Sequence, residues 1–371
     1  MSRARHHTTD GARMIRVLVA DDSATARALL VSLLAAEPDV VVVGEATTGR
    51  EAVEMTERLL PDLITMDVQM PVMDGLEATK QIMVRSPRPI IIVSSTARSA
   101  EVELSLEATR AGALMVLPKP EGPSTPGFDA DRRQLISMVR AMSQVKVVRR
   151  HGSVAPFSAD TPPQHAAWTV PPRPTLARGS SLVQLVAIGA STGGPAAIRT
   201  ILADLPREFP VPVLVVQHIA RGFTAGLAHW LGGDTALRVR VAEFGERAEP
   251  GTVYIAPDDR HLGCQLDAAG DIRIKLDNAA PVGAFRPSAS YLFQSAADAL
   301  GAGALGVILT GMGDDGVAGL RAMKACGGRV IAQDEASSVI YGMPREAARA
   351  GIVDAVLGLN AIARKLIEAV S

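Results

Sequence analysis

Cysteine is almost missing from this chain. Cys264 and Cys326 are the two among 371 residues, which leaves no disulfide framework and no paired-cysteine zinc spacing. Aromatic residues make up 3%, so the cores must be built mainly from Val, Ile, Leu, Ala and Met. That suits α/β layers, where buried parallel strands read as short aliphatic runs. No apolar run approaches the ~18 residues of a membrane span. The polar start, residues 1–13, has no apolar stretch of the signal-peptide kind. The formal net charge is −1, too balanced for the basic footprint of a nucleic-acid binder or of a protein drawn to an anionic membrane. A cytoplasmic chain is expected, with no nucleic-acid partner and no direct membrane insertion. Its length fits two domains of ~150 residues each.

Residues 1–13 read as a disordered tail. From residue 15 onward, short aliphatic runs alternate with helical stretches. Strands are expected at 15–20, 40–44, 63–66, 89–93 and 114–117, and helices at about 23–36, 48–60, 75–84, 100–110 and 131–143. Five such units predict a doubly wound, flavodoxin-like sheet of five parallel strands, with any site at the strand C-termini. The polar residues collect there. Asp21 and Asp22 end the first strand, Asp67 the third, and Ser94 and Ser95 the fourth, while Lys119 follows the fifth. A single Asp at a strand end can be a helix cap, and Asp22 before Ser23 fits that plainer role. The set as a whole asks for more. Three carboxylates converging on one point repel unless a cation sits between them, and hard oxygen ligands with room for water suit Mg²⁺. A lysine and a hydroxyl beside them can hold phosphoryl oxygens, which makes Asp67 a phosphate-accepting nucleophile.

Asp21-Asp22, the run Asp67-Val68-Gln69-Met70-Pro71-Val72-Met73-Asp74-Gly75, Ser94 and Lys119 together resemble a response-regulator receiver domain. The resemblance covers residues 14–145. It implies that Asp67 takes a phosphoryl group from a chemotaxis histidine kinase and that Asp21, Asp22 and Asp67 hold Mg²⁺. It also implies that Ser94 is the switching hydroxyl and Lys119 the phosphate contact. The aromatic switch residue often found before that lysine has no counterpart, since Leu114-Met115-Val116 are aliphatic.

Periodicity fails over residues 146–180. Six prolines fall between residues 151 and 180, the composition of a semi-stiff, partly extended linker. Trp168 within it reads as a docking contact, and His151 and His165 as solvated bystanders.

The second domain, 181–371, opens on Leu185-Val186-Ala187-Ile188-Gly189-Ala190-Ser191-Thr192-Gly193-Gly194-Pro195. An apolar strand stops at glycine, a serine follows, and Pro195 starts a helix. This is the grammar of a nucleophile elbow, G-x-S-x-G, whose helix start offers free N–H groups to an oxyanion. A phosphate loop is the competing reading, but no lysine follows these glycines and the turn itself lacks G-x-G-x-x-G. An ordinary strand–helix turn is the other. Further strands are expected at 212–218, 239–242, 252–256, 304–310 and 329–333, with a hairpin of 262–265 and 272–276. The prediction is an α/β domain with a mostly parallel sheet and an antiparallel excursion.

Three polar groups then lie at the ends of three buried strands: Ser191, His218 and the pair Asp314 and Asp315. A serine hydroxyl needs a base at neutral pH, a histidine can supply it, and the imidazole needs an acid to orient it. His229 reads as a helix-surface residue. His261 is the rival base, but it follows a charged turn, Pro257-Asp258-Asp259-Arg260, instead of a buried strand.

Several segments of this half resemble the catalytic domain of chemotaxis protein-glutamate methylesterase/protein-glutamine glutaminase, the CheB family. They are Ile188-Gly189-Ala190-Ser191-Thr192-Gly193-Gly194, Gln217-His218, Gly222-Phe223-Thr224, Tyr254-Ile255-Ala256-Pro257, Arg286-Pro287-Ser288, Leu309-Thr310-Gly311-Met312-Gly313, Asp315-Gly316 and Gly342-Met343-Pro344-Arg345. The resemblance implies a triad of Ser191, His218 and Asp315, because the family's aspartate directly precedes a glycine. It also places Thr192 and Met312 around the oxyanion site. It implies hydrolysis of glutamate methyl esters on chemoreceptor cytoplasmic helices, release of methanol, deamidation of receptor glutamines, and no cofactor for ester hydrolysis. Two positions depart from the family: Phe285 stands where His is common and Ser290 where Asp is common. Both are expected to line the substrate groove. A phosphorylation-switched receptor-binding module without turnover, or a hydrolase of other esters, are the alternatives at this point.

Overall fold

The computed structural model describes residues 14–95, 99–125, 127–145, 147 and 183–371. The expected tail at 1–13 and the expected linker, apart from residue 147, lie outside the described residues, as do His151, His165 and Trp168. Contacts divide the chain into two units, Met1–Arg149 and Arg150–Ser371. Among the described residues, no helix is long and apolar enough to cross a membrane.

The first unit runs β1 (Ile15–Ala20), α1 (Ala24–Ala35), β2 (Val40–Ala46), α2 (Gly49–Leu59), β3 (Leu63–Met66), α3 (Gly75–Arg85), β4 (Ile90–Ser94), α4 (Ser99–Ala111), β5 (Met115–Pro118) and α5 (Phe128–Met142). Its sheet has the order β2-β1-β3-β4-β5 with every neighbouring pair parallel. The doubly wound sheet of five parallel strands expected from the aliphatic runs is the one found. All of β3 and β4 is buried, as strands covered by helices on both faces must be. Ser23 caps α1 by accepting from the Ala26 N–H. The plainer role considered for Asp22 is therefore filled by its neighbour. Strand order reverses between β1 and β3, and Asp21 and Asp67 follow those two strands, where such a sheet opens its crevice.

The second unit runs β6 (Leu185–Ala190), α6 (Gly194–Ala203), β7 (Val213–Gln217), α7 (Thr224–Gly232), β8 (Arg238–Val241), β9 (Thr252–Ile255), β10 (His261–Leu266), β11 (Ile272–Asp277), α8 (Ala289–Leu300), β12 (Ala304–Ile308), α9 (Val317–Ala325), β13 (Arg329–Gln333), α10 (Met343–Arg349), β14 (Ala355–Leu357) and α11 (Leu359–Val370). Seven strands form one sheet in the order β14-β13-β12-β6-β7-β9-β8, all parallel. The antiparallel excursion is a separate hairpin, β10 with β11. His261 is not in a turn. It opens β10 and is fully buried, because the hairpin starts one residue earlier than the aliphatic pattern indicates. The central strand β6 is buried throughout. From it the chain passes to β7 on one side, while β12 lies on the other. Ser191, His218 and Asp315 follow β6, β7 and β12 at this switch point.

Candidate functional site

The turn after β6 is built to hold a serine. Gly193 has φ +78°, a conformation glycine adopts without strain, and α6 begins at the next residue. The Ser191 N–H donates to Thr310 O at 3.0 Å, and the Gly194 N–H donates to Ser191 O at 2.8 Å. A Cβ on Gly311 would stand 2.7 Å from the Ser191 Cβ, so the segment after β12 presses directly on the serine. Gln217 ties this turn to the next strand. Its buried amide Nε2 donates to Ser191 O and to His218 O, both at 2.8 Å. The His218 N–H donates to Ala190 O at 2.9 Å.

The His218 ring is held on two sides. Its Nε2 lies 2.9 Å from Asp315 Oδ2, and Phe285 stacks on its face, centroids 4.1 Å apart and planes 5° from parallel. Nδ1 is buried without a hydrogen-bond partner and is the nitrogen left for a substrate-side proton. Among the described residues no hydrogen bond joins Ser191 Oγ to the ring, the loose geometry common to such pairs when no substrate is bound.

Asp315 is caged by donors. Its Oδ1 accepts from Ser288 Oγ at 2.8 Å, the Ser290 N–H at 3.0 Å and the Gly316 N–H at 2.9 Å. Its Oδ2 accepts from the Ala289 N–H at 2.7 Å besides His218. Three of these donors, Ser288, Ala289 and Ser290, come from the cap and first residues of α8, so a helix N-terminus faces the carboxylate. Burial alone would raise the Asp315 carboxyl. The His218 hydrogen bond and charge, with the hydrogen bonds of Ser288 and Ser290, outweigh burial and hold it well below the usual carboxylate range. Asp314 beside it is exposed. Thr192 is buried and Met312 is 40% exposed; among the described residues neither backbone N–H donates to a protein group. The rival base His261 stacks on Tyr291 at 4.6 Å, with its Nε2 3.2 Å from Ala280 O. His229 is exposed on α7, as the sequence predicts.

The stretch Gly311-Met312-Gly313-Asp314-Asp315-Gly316 spells G-x-G-x-x-G between β12 and α9, the order of a dinucleotide fingerprint. Its geometry serves another purpose. Gly311 packs on Ser191, and the Asp315 carboxylate sits at the helix start where a pyrophosphate would need positive potential.

In the first unit, Asp21, Asp22 and Asp67 each offer an oxygen, all within 4.8 Å of one another. Lys119 Nζ lies 2.6 Å from Asp67 Oδ2 and 2.9 Å from Asp21 Oδ2. The second contact is an ion pair only; Asp21 Oδ2 has no hydrogen-bond partner. Burial lifts the Asp67 carboxyl above its usual range; Lys119 pulls against this, and Asp21 adds repulsion. Burial would depress Lys119, but Asp67 and Asp21 hold its ammonium above the usual value. The asymmetry is physical: one ammonium serves two carboxylates. Ser94 is buried at the end of β4, and its O accepts from the Lys119 N–H at 2.9 Å. Its hydroxyl is 3.5 Å from Ser95 O and is not hydrogen-bonded to Asp67.

Residues 186–366 match the family model for the CheB methylesterase, and residues 17–125 that for the response regulator receiver domain. Protein-glutamate methylesterase/protein-glutamine glutaminase 4 of Myxococcus xanthus is 51% identical over 355 residues, 96% of this chain and 97% of that protein. This chain belongs to the CheB methylesterase family. A second CheB relative, protein-glutamate methylesterase/protein-glutamine glutaminase 3 of Anaeromyxobacter dehalogenans, is 52% identical over 353 residues, 95% of this chain and 98% of that one. Among solved structures, the CheB methylesterase catalytic domain of Thermotoga maritima is similar at 42% identity, covering 50% of this chain and 98% of that one with a TM-score of 0.49.

Against the CheB pattern, four residues take places that sequence reading does not assign. Gln217 and Ser288 lie inside matching segments but carry no expected role; the signal for Gln217 is a polar residue closing an all-apolar strand. Phe285 and Ser290, expected to line the substrate groove, instead contact His218 and Asp315. Phe285 stacks on His218, and Ser290 donates its N–H to Asp315 while its Oγ accepts from the Gly316 N–H at 2.7 Å.

Proposed function

We propose that this CheB-family chain is a phosphorylation-activated serine hydrolase. It removes methyl groups from glutamate methyl esters on chemoreceptor cytoplasmic helices, releasing methanol, and deamidates glutamines there, releasing ammonia. The observation that carries the reading is the pairing of partly buried His218 with buried Asp315, 2.9 Å apart, beside the Ser191 turn. Ser191 Oγ attacks the ester carbonyl while His218 Nδ1 takes its proton. Asp315 stays ionised and stabilises the imidazolium. The unpaired N–H groups of Thr192 and Met312 are the candidate oxyanion donors; one such donor contributes about 10²–10³ in rate. His218 returns the proton to the departing methanol, then deprotonates a water that attacks the acyl-enzyme, and Ser191 is restored. With glutamine the same steps release ammonia.

Residues 14–145 act as the receiver, 146–180 as the linker and 181–371 as the catalytic domain, in the cytoplasm. Asp67 accepts the phosphoryl group from a chemotaxis histidine kinase. The clustered oxygens of Asp21, Asp22 and Asp67, with Asp21 Oδ2 lacking a hydrogen bond, fit a bound Mg²⁺, which would neutralise phosphoryl oxygens there. Lys119 is placed to contact the phosphate, and Ser94 is the switching hydroxyl. The deciding experiment measures methanol release from a methyl-labelled receptor cytoplasmic fragment. Ser191→Ala is expected to abolish it, and a fluorophosphonate should label Ser191 in the parent chain. Release at the parent rate by Ser191→Ala overturns the reading.

A further inference from the structure

Phe285 is an aromatic ring to which these steps give no part. It lies parallel to the His218 ring, 4.1 Å between centroids. A tight turn carries it there: Val282 and Phe285 exchange two backbone hydrogen bonds of 3.1 Å, and Gly283 takes φ +61° between them. Three residues later Ser288 donates to Asp315. One short segment therefore sets a ring against the base and a hydroxyl against the acid. We propose that Phe285 is a positioning residue for His218, which keeps the imidazole in the plane that Asp315 selects and favours its imidazolium form through the aromatic π face. The inference rests on His218 being the general base.

Two arguments support it. The hydrogen bond to Asp315 fixes one ring atom, Nε2, and leaves the ring free to rock about its Cβ–Cγ axis. Rocking would drive an edge of the imidazole into the parallel phenyl ring, so the stack removes that freedom and keeps Nδ1 aimed. The second argument is electrostatic. The face of a phenyl ring is negative and attracts a cation within ~6 Å, but does little for a neutral ring. His218 is neutral before it takes the Ser191 proton and cationic after, so the stack strengthens on the way to the transition state. An interaction of that kind raises kcat and leaves KM alone. The groups in contact with the imidazole are Asp315, from the segment before α9, and Phe285, from the segment before α8. Of these Asp315 alone carries an ionisable side chain, and its carboxyl is held well below the usual carboxylate range.

The test uses the full chain, activated by a small phosphodonor, on the methyl-labelled receptor fragment. Phe285→Leu keeps an apolar contact but removes the π face. The expected result is a kcat lower by about 2- to 30-fold, an unaltered KM, and an acid limb of kcat/KM moved to lower pH, because the imidazolium has lost a stabilising contact. Phe285→Tyr should restore all three. A higher KM with kcat intact would assign Phe285 to the substrate groove and overturn the inference, as would an unchanged kcat and acid limb. Ser191→Ala, measured alongside, separates the failures. If it retains release, the triad reading falls and takes this inference with it; if it is inactive while Phe285→Leu equals the parent, this inference falls alone.

Discussion

Asp67 and Asp315 are both buried, and their surroundings push them in opposite directions. Asp315 faces donors on every side, so its charge is favoured and its carboxyl lies well below the usual range. Asp67 shares its site with Asp21, and burial outweighs what Lys119 returns. The stability that ionised Asp315 contributes is therefore fully present above the ordinary Asp value of ~3.9 and is lost as pH falls below it. Asp315→Asn should lower kcat by about 10⁴-fold, since the imidazole loses the partner of its cation, whereas exposed Asp314→Asn should leave kcat within a few-fold. The reverse ranking in the methanol assay would move the acid by one residue. For Asp67 the sign inverts. A raised folded value means that the ionised form opposes folding at neutral pH, and the opposition disappears when the group is neutral. Asp67→Asn is expected to stabilise the receiver at pH 7, seen as a higher urea midpoint for residues 14–145 by circular dichroism. A lower midpoint would mean that Asp67 contributes more through Lys119 than it loses by burial.

At the scale of elements, Ser191, His218 and Asp315 lie beyond the ends of three strands of one sheet, and two devices lock them together. The α8 N-terminus grips Asp315, and the Gln217 amide joins the turn after β6 to the end of β7. Gln217→Met keeps the volume and removes both donors. Ser191 O keeps the Gly194 N–H, but His218 O loses its partner, at about 1–3 kcal/mol if nothing replaces it. The expected outcome is a lower thermal midpoint for the second unit and slower fluorophosphonate labelling of Ser191; an unchanged labelling rate would show that Gln217 only fills space. These devices also mark where sequence reading stops. The aliphatic runs of β1, β3, β4, β6, β7 and β12 were legible because parallel strands buried on both faces are mostly apolar, with Arg16 in β1 and Thr65 in β3 as interruptions. For the same reason Asp21, Asp67 and Ser191 stood out as the first residues with a charged or hydroxyl side chain past their strands, and His218 as the residue after Gln217, which closes β7. β14 was not legible, because a three-residue, partly exposed edge strand has no run to read. Neither was the position of His261, whose burial comes from Tyr291 stacking across from another element. The grip of α8 on Asp315 joins residues some 26 positions apart, and no local pattern encodes a contact made only when two segments meet.

At the scale of the whole molecule, a charge change in one unit must alter turnover in the other. Phosphorylation of Asp67 adds roughly two negative charges to a site where Lys119 already divides its ammonium between two carboxylates. The transmitted effect is a coupling free energy, and couplings of ~1–3 kcal/mol correspond to about 5- to 150-fold. Acetyl phosphate with Mg²⁺ should raise methanol release by the full chain within that range. Chelating the metal should remove the stimulation and leave basal release, because the ester chemistry derives from Ser191, His218 and Asp315. Asp67→Ala should abolish the stimulation, while residues 181–371 alone should release methanol without any phosphodonor. If Asp67→Ala were stimulated as strongly as the parent chain, the phosphoryl group would be landing elsewhere. The cluster of Asp21, Asp22 and Asp67 would then be a metal site without a signalling role.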